Sequence, residues 1–213
     1  MDAATTLIET VRVRDGHAPL FYLHLRRLVA SCKALGVPFP GAFEIPSGSP
    51  DRVQRLEVSR SGFRASEREL GVTRPMTLIT SSVRHPGYPH KVAARGAFEQ
   101  ASGLARDAGA DDALLLTSGG KVAEATIWCL FWWEGDRLAA PALDLGILPG
   151  VSRMRIEEVT GPVTPMWVGR EGLVGRSLLL SNAARGIVQV STLDGVSVPA
   201  DSRTEALQAR FWP

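Results

Sequence analysis

Lysine is scarce in this chain: arginine carries most of the basic charge, and the only lysines are Lys33, Lys91 and Lys121. Cysteine is scarcer, with Cys32 and Cys129 alone and no CxxC pair. Such usage excludes a disulfide-stapled secreted framework and a cysteine zinc site, and no metal is expected. No apolar run approaches the ~18 residues of a membrane span, and residues 1–6 show neither a basic nor an apolar leader region. Neither sign of charge dominates, since 24 basic and 22 acidic residues leave +2. A nucleic-acid partner, which calls for a basic stripe, is therefore not expected. The dinucleotide, P-loop, serine-hydrolase and zincin signatures (GxGxxG, Walker A, GxSxG and HExxH) are all missing. What is present is an ordinary globular composition, 45% hydrophobic and 22% charged over 213 residues. It predicts a soluble cytoplasmic protein of one large domain or two small ones.

Residues 7–13 (LIETVRV) are apolar and β-branched and end at Asp15-Gly16, which predicts a strand and a turn. Leu20, Leu23, His24, Leu28, Ser31, Cys32 and Leu35 share one helical face, with Gly36 at the C-cap and Pro38 beyond it. Residues 38–50 read as a loop, 52–59 and 76–83 as strands, and Ser61-Gly62 as a turn. Residues 85–90 (HPGYPH) carry two prolines and a glycine, so they cannot be regular structure and serve as the candidate linker. A helix is predicted over 93–108 and strands over 113–117, 127–133 and 137–140, the last two as a hairpin. A helix over 152–159, strands over 177–181 and 187–193, and a final helix opened by a Ser202/Glu205 capping box complete the pattern. Strands and helices in two blocks predict an α+β fold. The expected division is a small N-terminal α/β domain over 1–84, the linker over 85–90 and a larger C-terminal domain over 91–213.

A single loop lysine is most often a solvated charge, so Lys91 taken alone stays open between that role and catalysis. The tryptophans at 128, 132 and 133 read as core or interface mass. His24 reads as a structural histidine, Cys129 as a small buried hydrophobe, and His90 as either a loop histidine or a tuner of Lys91.

Five segments in order change the reading: IETVRVRDG with HLRRL (8–28), HKVAAR (90–95), GKVAEATIWCLF (120–131), LGILPGVSR (145–153) and LSNAARGIVQV (180–190). Together they resemble the class IV aminotransferases over nearly the whole chain. The resemblance implies a two-domain fold whose C-terminal part is a mixed α/β barrel-like domain. It also implies an enzyme that binds pyridoxal phosphate through a Schiff base to Lys91. The amine must then lose its proton at working pH, which burial and nearby positive charge favour. Glu124 stands at the interval of the family's acidic residue beneath the pyridine ring, where a carboxylate keeps the ring nitrogen protonated. Arg27 falls on the phosphate position, and Arg26, about 100° round the helix, reads as a surface charge. Val151 and Ser152 would offer donors at a helix start, where Ser152 could equally serve as a simple cap. Asn182 and Ala183 lie in a turn that reaches the phosphate.

The chain departs from its relatives at Cys129, Ala183 and Gly96, where they often carry asparagine, a hydroxyl residue and a tyrosine. Its start, close to the first strand, leads us to expect an edge strand missing or supplied by a partner. The segments look most like 4-amino-4-deoxychorismate lyases, which make 4-aminobenzoate and pyruvate. A branched-chain or D-amino-acid aminotransferase and an inactive cofactor-binding homologue stay open beside that reading. A small-molecule substrate and a homodimer follow from the same resemblance. The arginine for a substrate carboxylate stays undecided among Arg12, Arg60, Arg64 and Arg84.

Overall fold

The computed structural model describes residues 5–41, 51–71 and 73–213. Among them the strands form two sheets. The smaller has three strands, β1 (Leu7–Val13), β2 (Arg52–Ser59) and β3 (Gly62–Glu69), in antiparallel order. Helix α1 (Phe21–Leu35) packs on β1 with Leu23, His24, Arg27, Leu28, Ser31 and Cys32 buried. Those positions recur at helical spacing, which is why the apolar stripe was legible. Gly36 ends the helix in the left-handed region at φ 61°, a conformation that glycine adopts at no steric cost. The loop expected at 38–50 falls largely outside the described residues.

The larger sheet contains β4 (Met76–Arg84), β5 (Asp112–Leu116), β6 (Val122–Ala125), β7 (Cys129–Glu134), β8 (Arg137–Pro141), β9 (Thr164–Met166), β10 (Leu178–Asn182), β11 (Gly186–Leu193) and β12 (Val196–Ser197). Its order is β6-β5-β4-β11-β10-β7-β8-β9, with β12 paired to β11. Helices α2 (Gly96–Asp107), α3 (Val151–Thr160) and α4 (Ser202–Phe211) pack against it. The architecture is the mixed α/β fold expected, a strongly curled sheet with helices around it. Trp128 and Trp132 are buried with Leu114, Leu130, Leu178, Leu180 and Val190 in its main core, so these two tryptophans are core mass.

Several expectations need correction. β3 was not foreseen because all of its side chains are exposed, which removes the alternation that marks a half-buried strand. β6, β9 and β12 are too short to show a period. Helix α2 begins at Gly96 rather than at 93. Residues 91–93 lie instead against β1, with Ile8 N–H donating to the Lys91 carbonyl at 2.8 Å and Ala93 N–H to that of Thr6 at 2.8 Å. This pairing also covers part of the edge of β1 that was expected to need another strand. The N-cap of α4 is Asp201, whose carboxylate accepts from Arg203 N–H at 2.9 Å. Ser202 is the first residue of that helix, so the expected capping box does not form. Finally, β4 lies between β11 and β5 in the large sheet. We therefore propose that any division of the chain falls between β3 and β4, upstream of 85–90.

Candidate active site

Between the two sheets lies a cleft of about 840 Å³, its open mouth included. Arg27, Lys91, Glu124, Val151, Ser152, Asn182 and Ala183 all line it. The structure thus brings together every site residue expected from the sequence, although they come from five separate stretches of chain.

Lys91 is carried on the extended segment stitched to β1. Its amine makes no hydrogen bond or ion pair among the described residues. Burial, followed by the positive charges of Arg27 and Arg95, pushes its pKa from 10.5 down to about 7. The lowered pKa favours the neutral amine, the form that attacks a carbonyl carbon.

Glu124 projects from β6 and is buried. Its Oε1 accepts from His85 Nε2 at 2.8 Å and from Leu148 N–H at 3.2 Å. His85 Nδ1 accepts from Gly87 N–H at 3.2 Å, so the ring hydrogen must sit on Nε2 and point at the carboxylate. Oε2 has no partner among the described residues and is the oxygen left for a ligand. The HPGYPH stretch is thus a wall of the site, with His85 and Tyr88 both buried. Sequence reasoning missed His85. Its only signal was proximity to Lys91 within an irregular segment.

Arg27 sits on the buried face of α1, where its Nε donates to Glu9 Oε1 at 2.9 Å and its Nη2 contacts Glu9 Oε2. His24 Nδ1 meets the same Oε2 at 2.7 Å. Burial alone would raise the pKa of Glu9, but Arg27 and His24 hold it at about 2. The acid is therefore an acceptor only, and His24 must carry its hydrogen on Nδ1. That makes His24 structural, as expected, yet its buried Nε2 has no partner. Glu9 was not singled out in the sequence, where it reads as one acidic residue in a strand.

Helix α3 starts at the cleft. Its N-cap is Gly150, which supplies no side-chain cap, so the first-turn N–H groups are free for an anion. A Cβ at Gly150 would overlap Cys129 Sγ, so strand and helix meet there at backbone distance. Burial raises the Cys129 thiol to about 11, which keeps it protonated and inert. Asn182 uses Oδ1 to accept from Ala184 N–H at 3.1 Å and Arg185 N–H at 2.8 Å. Its side chain shapes the β10–β11 turn and leaves the Ala183 backbone at the cleft wall. Of the four arginines considered for a carboxylate, none lines the cleft. Arg12 is engaged by the Ala184 carbonyl at 3.1 Å and Asp51 at 2.5 Å. Arg68 and Arg185 line the cleft instead.

A buried free amine, a carboxylate with one open oxygen, and an uncapped helix start near an arginine form a site with two distinct polar ends. The family model for amino-transferase class IV matches residues 58–193. The chain belongs to the class IV aminotransferases. This family consists of enzymes that depend on pyridoxal phosphate. A Schizosaccharomyces pombe protein named "Putative aminodeoxychorismate lyase" is 28% identical over 171 residues, covering 72% of this chain and 74% of that protein. A Mesorhizobium loti protein described as a "Putative amino-acid aminotransferase" is 27% identical, with a TM-score of 0.78 over 88% of this chain and 99% of that one. A Brucella abortus aminotransferase, solved with the cofactor PLP, has a TM-score of 0.80 at 18% identity. That match covers 97% of this chain and 89% of that one, and it carries the fold alone.

The residues fit the family's cofactor. The unpartnered Lys91 amine suits an aldehyde, the open Glu124 Oε2 suits a pyridine N–H, and the free amides of α3 with Arg27 suit a phosphate.

Proposed function

We propose that this member of the class IV aminotransferases is a lyase that converts 4-amino-4-deoxychorismate to 4-aminobenzoate and pyruvate, a step of folate synthesis. Supporting this reading are the likeness to the fission-yeast protein and the HKVAAR, ILPGVSR and SNAARG segments. The observation that carries the catalytic part is the half-buried Lys91 amine in the cleft, which makes no hydrogen bond or ion pair among the described residues.

When bound, pyridoxal phosphate supplies an electron sink for the carbanion left after proton removal. The chain's own groups do the rest. Lys91 would hold the cofactor through its aldehyde and would carry the proton removed from the substrate carbon beside the amine. Glu124, oriented by His85 and the Leu148 N–H, would meet a pyridine N–H at its open Oε2. Arg27, Val151, Ser152 and the Asn182–Ala183 turn would hold the phosphate. Trp128, Ile127 and Leu148 wall the cleft and exclude water. An aminotransferase reading is favoured by the Mesorhizobium loti match. The two part after proton removal, where a lyase expels pyruvate and an aminotransferase returns the proton to the cofactor. Incubation with aminodeoxychorismate, with and without a keto-acid acceptor, tests the proposal. Pyruvate and 4-aminobenzoate formed without an acceptor support the lyase; turnover only with an acceptor overturns it.

Arg27→Ala should weaken cofactor affinity at least about tenfold by removing a charge-assisted partner. It should also lower thermal stability, because Glu9 is left as a buried charge without its main partner. Arg26→Ala is the control, since Arg26 is exposed and contacts Met154 Sδ. Equal cofactor affinities of the two variants would remove Arg27 from the phosphate site.

We also propose a cytoplasmic homodimer. Both cysteines are free thiols, as suits a reducing compartment. Among the described residues no helix is long and apolar enough to cross a membrane. The exposed strand β3 offers an open edge beside the cleft, and two-fold pairing is the commonest way to cover one. Sedimentation equilibrium should give twice 22.9 kDa; an active species at the single-chain mass would overturn the dimer.

A further inference from the structure

Two guanidinium groups at the cleft make no ion pair with an acid among the described residues. Arg185 leaves the β10–β11 turn with its backbone N–H fixed to Asn182, and Arg68 comes from β3 of the other sheet. Both line the cleft. Neither makes a side-chain hydrogen bond or ion pair among the described residues, whereas Arg27 and Arg95 are both engaged. Arg95 donates to the Thr126 carbonyl and lies 4.6 Å over the Phe98 ring. Arg185 lies 5.7 Å over the indole of Trp128, and a Cβ at Gly71 would come within 3.0 Å of its Nη2. The backbone after β3 therefore passes directly beside the guanidinium. Burial, and then the charge of Arg68, lowers the Arg185 pKa, while Asp112 works in the opposite sense.

Two like charges held close at a cleft are costly unless an anion joins them. Asp112 attracts Arg185 but forms no ion pair with either arginine among the described residues: it is buried, its Oδ1 is bonded to Thr126 and the Ala113 N–H, and its Oδ2 has no hydrogen-bond partner. Glu69 lines the same cleft and makes no ion pair among the described residues, so the arginines outnumber the nearby unpaired acid two to one. With Arg27, Lys91 and Glu124 assigned to the cofactor, the groups left for the substrate are these two cations and the exposed Ile127.

We propose that Arg68 and Arg185 form a carboxylate-binding rim that selects substrates bearing a carboxylate on a ring, remote from the amine that reacts at Lys91. This rests on reading the cleft as the place where substrate reacts. A guanidinium fork matches a carboxylate in a bidentate manner, which a lysine would not reproduce. The exposed Ile127 side chain in the same cleft gives the ring an apolar contact, and the buried Trp128 indole holds the Arg185 guanidinium in place.

Calorimetric titration of the purified protein with 4-aminobenzoate and 4-aminobenzamide separates charge from shape, since the two differ only in the carboxylate. The wild type should bind the acid about tenfold more tightly than the amide, as expected for a hydrogen-bonded charge. Arg185→Gln and Arg68→Gln should each remove most of that preference and leave amide affinity unchanged. Unchanged unfolding temperature of the exposed Arg68 variant keeps the test valid even where the Arg185 variant folds poorly. No binding of 4-aminobenzoate by the wild type, or a preference that survives both substitutions, overturns the rim. Borohydride trapping of the cofactor on the same samples reports separately on Lys91. Loss of trapping with an intact carboxylate preference would sink the catalytic reading and spare the rim.

Discussion

Lys91→Ala should lower turnover by about 10⁴-fold or more, because one amine serves as both cofactor anchor and proton carrier. Borohydride should fix the cofactor to the wild type at Lys91 and leave the variant unlabelled. Labelling at Lys33 or Lys121 instead would end the assignment. The same change has a signature without cofactor. In the folded protein the Lys91 amine loses its proton near pH 7, but in the unfolded chain it does so near 10.5. Between those values the unfolded state holds more protons, so stability must rise with pH. Below about 7 both states are protonated, and the folded state bears the full cost of the confined charge. The amine reaches an open cleft, so the contribution is discounted to ~2 kcal/mol. Denaturant unfolding of cofactor-free protein from pH 6.5 to 10, as estimated from these limits, should show a slope in the wild type that Lys91→Ala lacks. Parallel curves would place the amine in solvent.

Glu124→Gln is the second large effect, a loss in turnover of at least ~100-fold, or about 2.7 kcal/mol. The substitution is unusually clean. A glutamine oxygen can still accept from His85 and the Leu148 N–H, so the local hydrogen bonds persist and only the charge disappears. A neutral amide cannot keep a pyridine nitrogen protonated, and proton removal loses its sink. Cofactor uptake should be retained, which separates this variant from the Lys91 one. Near-normal turnover would put Glu124 away from the ring.

How much of this site was legible in the sequence depended on the kind of contact. Lys91, Glu124 and Arg27 sit in short strings whose order survives in one dimension, and each lines the cleft. Helix α1 was legible because a buried stripe repeats every three or four residues, and Arg27 lies on it. Glu9 and His85 were invisible because their importance comes from side chains 15 or more positions away. Arg68 was hidden within β3, a strand without buried positions. Arg185 stood inside the quoted SNAARG segment, but nothing in one dimension says that its charge is left without a counterpart. The capping box failed for a different reason: Asp201, one residue earlier, is an equally good acceptor and it won the position.

The bridge between Ile8 and Lys91 has a consequence for assembly. Catalysis requires an amine whose backbone is registered against the first strand, while that strand's next residue, Glu9, fixes Arg27 from the adjoining helix. Lys91 and Arg27 are thus gauged from one short stretch of chain, and their separation is set by strand geometry rather than by either loop. Closing that stretch over more than eighty intervening residues costs entropy before any reward is collected. The spacing of the cleft's lysine and arginine therefore depends on contacts between parts of the chain far apart in sequence.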